Sequence, residues 1–228
     1  PEFFDRREIY GTSQGDYEDN AQRFIAFSIG VLEMCDAVGF VPDVIHCNDW
    51  QTALIPLYIK TTYKKAFTKT STILTIHNLG YQGIFPQSAM TLTGLDMKLF
   101  NPDILEFYGK LNLLKAGIVS ANVVSTVSPT YAREIKTPEY GFGLHGVLSK
   151  KEVAGITNGI DYKEWDPAKD PSITATYSHN DLSGKKLCKG RLVEECGLEN
   201  KTAPVAGMVG RIASQKGIDL LLEIFEPV

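Results

Sequence analysis

Short apolar, β-branched runs alternate with stretches of helical periodicity along most of this sequence, and no other feature narrows the fold as much. The runs fall at 43–47, 71–76, 122–127, 152–156 and 204–209. Helical spacing is clearest over 19–38, where Phe24, Phe27, Val31, Leu32, Cys35 and Val38 share one stripe and Gly39 supplies a left-handed stop. Further helices are predicted over 50–65, 111–120, 180–196 and 214–225. Pro56 predicts a kink or a late start in the second of these. Ser128-Pro129 predicts a capped helix start, since Ser can accept free N–H groups and Pro needs none at the first position. Strands that alternate with helices build parallel sheets covered on both faces, so the fold class is α/β. Residues 157–178 break the rhythm with Asn-Gly and Asp-Pro turn signals. The predicted organisation is a first domain over 1–157, a crossing segment over 158–179, and the opening of a second domain over 180–228.

Composition excludes several classes. The net charge of −4 gives no basic field for a nucleic-acid backbone. No apolar run is long enough to span a bilayer. The four cysteines, Cys35, Cys47, Cys188 and Cys196, form no C-x-x-C pair and read as reduced thiols of a cytoplasmic protein, or a plastid one in a plant. The chain opens at Pro1 without an initiator Met and stops soon after an apolar run, which reads as a fragment.

Ligands of an open parallel sheet bind beyond the carboxyl ends of its strands. The residues at or just past those ends are His46, Asn48 and Asp49; His77 and Asn78; Ser128; and Gly210-Arg211 with Ser214, Gln215, Lys216 and Gly217. The last group joins a predicted strand to a predicted helix. Helix-start N–H groups attract anions, and Arg211 and Lys216 add two cations, so a diphosphate fits; two solvated surface cations are the plain alternative. Asp49 could equally serve as a helix cap. His77 has no second His or Cys at ligand spacing, so no metal is predicted. Trp50 reads as core. The stretch from Gly141 to Gly146 matches G-x-G-x-x-G by letter, but 137–140 is no buried strand, so a dinucleotide fingerprint is rejected in favour of a loop that lets backbone approach a ligand.

Several motifs occur in order: His46-Cys47-Asn48-Asp49-Trp50-Gln51, then the segment from Thr75 to Gly83, then Ser128 to Ile135, then Thr157 to Asp161 with Trp165-Asp166-Pro167, then Gly210-Arg211 with Ser214 to Gly217. Together they closely resemble the bacterial and plant glycogen (starch) synthases. Asp5-Arg6, Tyr10, Asp19-Asn20 and Arg23-Phe24 fit the same family. The resemblance implies the GT-B architecture, two Rossmann-like domains facing a deep cleft. It implies retaining transfer of glucose from ADP-glucose to the non-reducing end of an α-1,4-glucan, with no metal or organic cofactor. By matching position it assigns Arg211 and Lys216 to the leaving diphosphate and His77 to the transferred glucose, across a common groove. Asp49, Asn158 and Tyr10 line the sugar pocket by the same token, and Gly210 belongs to the donor-binding turn. The sequence departs from the family at His145, where an acidic or other polar residue is usual.

The family's Lys-x-Gly-Gly loop would precede Pro1 and its Glu-x-x-Gly-type segment would follow Val228. The 228 residues alone are therefore expected to be inactive, and the part after Asn180 to be mobile or loosely docked. Rival expectations are a GT-B transferase using UDP-glucose, a non-catalytic glucan-binding remnant, and, more remotely, a dinucleotide enzyme.

Overall fold

A computed structural model describes residues 2–199, 202–212 and 216–224. The chain divides into two compact units, Pro1–Asn158 and Gly159–Val228. No described helix is long and apolar enough to cross a membrane.

The first unit opens with a small antiparallel hairpin, β1 (Gly11–Thr12) and β2 (Gly15–Asp16). Helix α1 (Asn20–Ala37) follows, then β3 (Val44–Asn48), α2 (Ile55–Lys60) and β4 (Ser71–Ile76). An excursion comes next, with β5 (Ile84–Pro86), β6 (Glu106–Phe107) and β7 (Lys110–Asn112). It leads into α3 (Leu113–Ser120), β8 (Val123–Thr126), α4 (Pro129–Glu134), α5 (His145–Leu148) and β9 (Val153–Gly155). Four strands form one parallel sheet in the order β3-β4-β8-β9. Its core is made by Ile25 and Leu32 of α1, Leu57 and Tyr58 of α2, Leu74 and Ile76 of β4, Leu114 and Ile118 of α3, and Val124 of β8. Each fully buried aliphatic of this kind stabilises the fold by about 1.5–3 kcal/mol relative to exposure.

The predicted stripe on α1 is turned by part of a step. Ala21, Phe24, Ile25, Ser28, Leu32 and Cys35 are buried, whereas Phe27 and Val38 are exposed. Phe27 instead meets the edge of Phe4, whose ring is 6.0 Å away. The helix predicted over 50–65 is a short 3-10 turn, Trp50–Thr52, followed by α2 with Pro56 in its first turn. A proline there needs no N–H partner, and this sets the late start. Ser128 caps α4 as expected, its hydroxyl accepting from the N–H groups of Thr130 and Tyr131.

In the second unit, residues 159–182 hold neither helix nor strand. Aspartate side chains close its turns: Asp161 accepts from the Lys163 N–H, Asp166 from Ala168 and Asp170 from Ser172. Helix α6 (Ser183–Glu195) and helix α7 (Ile218–Ile224) are its regular elements among the described residues. The strand predicted over 204–209 does not form. A strand needs a neighbour to take its N–H and C=O groups, and no described segment of this unit offers one. The predicted start of the last helix at Ser214 lies outside the described residues.

Candidate functional site

The carboxyl ends of β3, β4 and β8 bring together most of the residues singled out in the first unit. Asp49 follows β3 directly, with φ 55° and ψ −168°, a backbone region that is essentially reserved for glycine and costs about 1–3 kcal/mol elsewhere. Two hydrogen bonds hold it there. Its N–H donates to the Thr75 carbonyl at 2.9 Å, and its carboxylate Oδ1 accepts the N–H of His77 at 2.7 Å. The side chain makes no helix-capping bond, so the capping alternative falls. His77 is exposed just past β4, and its Nε2 lies 3.0 Å from Asn48 Oδ1. Asn48, Asp49 and His77 thus form one bonded group at the strand ends. His46 sits inside β3 instead, its Nε2 2.7 Å from Thr75 Oγ1.

The next loop, 79–83, is tied down at each step. The Leu79 N–H donates to the Tyr131 hydroxyl at 3.0 Å. The carbonyls of Gln82 and Gly83 accept from Leu114 and Leu113, the first free N–H groups of α3. Asn112 caps the same helix through the Lys115 N–H at 2.9 Å. Gly83 has φ 61°, and a Cβ added to it would lie 2.4 Å from the Trp50 ring. Trp50 is core, as expected, with Phe24 at 4.8 Å and Phe85 at 5.7 Å. A cavity of about 250 Å³ opens beside this loop, lined by Tyr17, Asn20, Trp50, Tyr81 and Gly83 among others.

Tyr10 lies on the N-terminal segment rather than at a strand end. Its ring is 6.0 Å from Phe24, and its carbonyl accepts from Asn20 Nδ2 at 2.8 Å. Arg23, buried in α1, fastens that segment by donating to the carbonyls of Phe3 and Ile9 at 2.6 and 2.8 Å. Arg6 and Asp19 add a two-point ion pair at 2.8 and 2.6 Å, which holds the Asp19 carboxyl below its ordinary range. Nothing in the sequence pattern marked Arg23 or Gln82 as organisers; a large polar residue wholly inside the core is visible only once burial is known.

Asn158 ends the first unit and is exposed, three residues past β9. Gly210, Arg211 and Lys216 belong to the second unit, and all are exposed. Ser214 and Gln215 of the same motif lie outside the described residues. Residues 137–140 form turns with no strand, in line with rejecting a dinucleotide fingerprint at Gly141. His145, the departure from the family pattern, starts α5, and its Nδ1 is buried with no hydrogen-bond partner among the described residues. Such an atom costs about 1–3 kcal/mol.

Comparison with known proteins follows the same lines. The family model described as "Starch synthase catalytic domain" matches residues 1–150. The glycogen synthase of Thermodesulfovibrio yellowstonii is 50% identical over 226 residues, covering 97% of this chain and 46% of that protein. Glycogen synthase 2 of Geobacter sulfurreducens is 49% identical over 228 residues, covering 98% and 47%. The chain spans about half the length of the curated relatives it matches. Among solved structures, the catalytic domain of starch synthase IV from Arabidopsis thaliana, bound to ADP and acarbose, is similar with a TM-score of 0.83 at 38% identity, over 97% of this chain and 46% of that one.

Proposed function

The chain belongs to the starch synthase catalytic domain family, and on that premise we propose that it carries part of the glucosyl-transfer site of an ADP-glucose-dependent α-1,4-glucan synthase. The first unit is then one Rossmann-like domain of a GT-B enzyme, and the second unit opens the other. The bonded group Asn48–Asp49–His77 supports this reading most directly, because it sets polar side chains at the strand ends on a strained, doubly anchored backbone. A neighbour solved with ADP and acarbose supports a nucleotide donor and a glucan acceptor.

In the reaction, the bond between the glucose anomeric carbon and the diphosphate breaks while a bond forms to the 4-hydroxyl oxygen at the non-reducing end of the glucan, whose proton leaves with the departing diphosphate. Negative charge collects on the departing diphosphate. Arg211 and Lys216 hold that charge, the guanidinium by two-point bonding and the ammonium as a point charge. Asp49 and His77 hold the transferred glucose by its hydroxyls, with Tyr10 and Asn158 at the margin of the pocket and Gly210 allowing the phosphates close approach. No metal or organic cofactor is assigned to this chemistry. The reaction needs donor and acceptor enclosed away from water, which would otherwise take the glucose. In this reading the enzyme works in the cytoplasm, its four thiols free.

The test is a chimera in which this chain replaces the matching half of the Thermodesulfovibrio yellowstonii protein. Glucose incorporation into glycogen is measured with ADP-glucose and with UDP-glucose. The chimera is expected to prefer ADP-glucose, and Arg211→Ala or Lys216→Ala to lower kcat by about 10²–10³. Preference for UDP-glucose, or an unchanged kcat in both variants, would sink the assignment.

A further inference from the structure

The Gly141–Gly146 stretch is left without a role by the site as described, yet the Gln82 side chain ties it to the loop that follows His77. Gln82 is 5% exposed, and both ends of its amide are used. Its Oε1 accepts from Asn112 Nδ2 at 2.6 Å, and its Nε2 donates to the Phe142 carbonyl at 3.0 Å. Asn112 is fully buried and caps α3, whose first N–H groups already bind the carbonyls of Gln82 and Gly83. The His77 loop is therefore welded to α3, and the Gly-rich loop hangs from it by the Gln82 amide. Phe142 has φ 45°, a strained value for an aromatic residue, and its ring packs over Gly80, where an added Cβ would lie 3.7 Å from the ring. A buried amide that loses one partner leaves the other group unsatisfied, so the connection resists opening.

We propose that Gln82 is a positioning residue that registers the Gly141–Gly146 loop against the loop following His77, so that the two move as one body at the sugar site. The part of this that concerns transfer rests on the function proposed above. The registering itself does not.

The first test uses the full 228-residue chain. Gln82→Met keeps the length of the side chain and removes both hydrogen bonds. Gln82→Glu is nearly isosteric; as a neutral acid it can donate to the Phe142 carbonyl and accept from Asn112, and as a carboxylate it repels that carbonyl. Burial raises the introduced carboxyl's pKa, so the neutral form is favoured in mild acid. Amide exchange read by mass spectrometry is expected to quicken about tenfold over 141–146 in Gln82→Met, with 71–76 unchanged. Gln82→Glu should match the parent at pH 5 and Gln82→Met at pH 8. Unchanged exchange over 141–146 in either variant at pH 8 overturns the proposal. If Gln82→Met fails to fold, the pH dependence of Gln82→Glu decides alone.

The second test carries Gln82→Glu into the active chimera. There kcat is expected to fall about tenfold at pH 8 relative to the parent, the gap closing toward pH 5, with the KM for ADP-glucose little changed. Equal kcat ratios at both pH values overturn a role in transfer. A parent chimera without activity overturns the transfer reading, while the exchange result still judges the registering of the loops.

Discussion

Leu32, Leu74 and Leu114 in the first compact unit are wholly buried, whereas Leu220, Leu222 and Ile224 in the second remain 64%, 69% and 74% exposed. Both regions draw on the same kinds of residue and both form helices. They differ in having a sheet to pack on. The four parallel strands of the first unit give α1, α2 and α3 a surface on which to bury their apolar faces. In the second unit Val193 is the buried large aliphatic among the described residues, and Val209 and Ile212 stand open to solvent at 103% and 91%. A helical pattern specifies a face; stability comes only when something covers it.

Hydrogen exchange should show the widest gap between the regions. Amides of β4 and β8 are expected to open only with global unfolding, and those over 204–212 to exchange at least about 10³-fold faster. Comparable protection in the two regions would show that the second unit carries a core of its own. Core truncation should give a smaller but clear contrast. Leu74→Ala is expected to cost about 2–5 kcal/mol in denaturant unfolding, and Leu222→Ala less than about 0.5 kcal/mol. Similar costs at the two positions would refute the contrast. Thiol chemistry is the gentlest probe. At pH 8 a disulfide reagent should label exposed Cys196 quickly, and buried Cys35 and Cys47 only on unfolding. Burial pushes the Cys47 thiol from an ordinary 9.0 up to about 12. Below pH 9 both folded and unfolded chains keep that proton; between 9 and 12 only the folded chain does, so stability should fall as pH rises through this window. Tyr63, pushed up to about 12 by burial and by its bond to the Glu33 carboxylate, acts in the same direction from pH 10 upward. A Cys47→Ala variant with an unchanged alkaline unfolding profile would remove the thiol's part.

The sequence made the parallel sheet legible wherever a β-branched run stood between helical stretches. Residues 71–76 match β4 end to end, and the Ser128 cap was readable because its chemistry is local. The antiparallel excursion of β5, β6 and β7 was not, since strands of two or three residues carry no periodicity. The strand predicted over 204–209 failed for the opposite reason: its local pattern was adequate and its partner was lacking. Within the site, Asp49 and His77 could be placed at strand ends from the alternation of elements. Their bond to one another could not, because it depends on a backbone torsion at Asp49 that its residue type disfavours. Gln82 stands inside the Thr75–Gly83 motif with nothing local to mark it; its two-ended amide bonding depends on Asn112 and Phe142, which are distant in sequence.

The strand order has a bearing on how the protein is made. Ile73 pairs with Val123, and Val124 with Val153, so each parallel pairing waits for a long crossover to leave the ribosome. Until the chain has grown past Gly155, β8 keeps a bare edge, and an unpaired edge invites pairing with another chain. Chains released between residues 126 and 155 should therefore be the most aggregation-prone truncations, and chains released after 160 far safer ones.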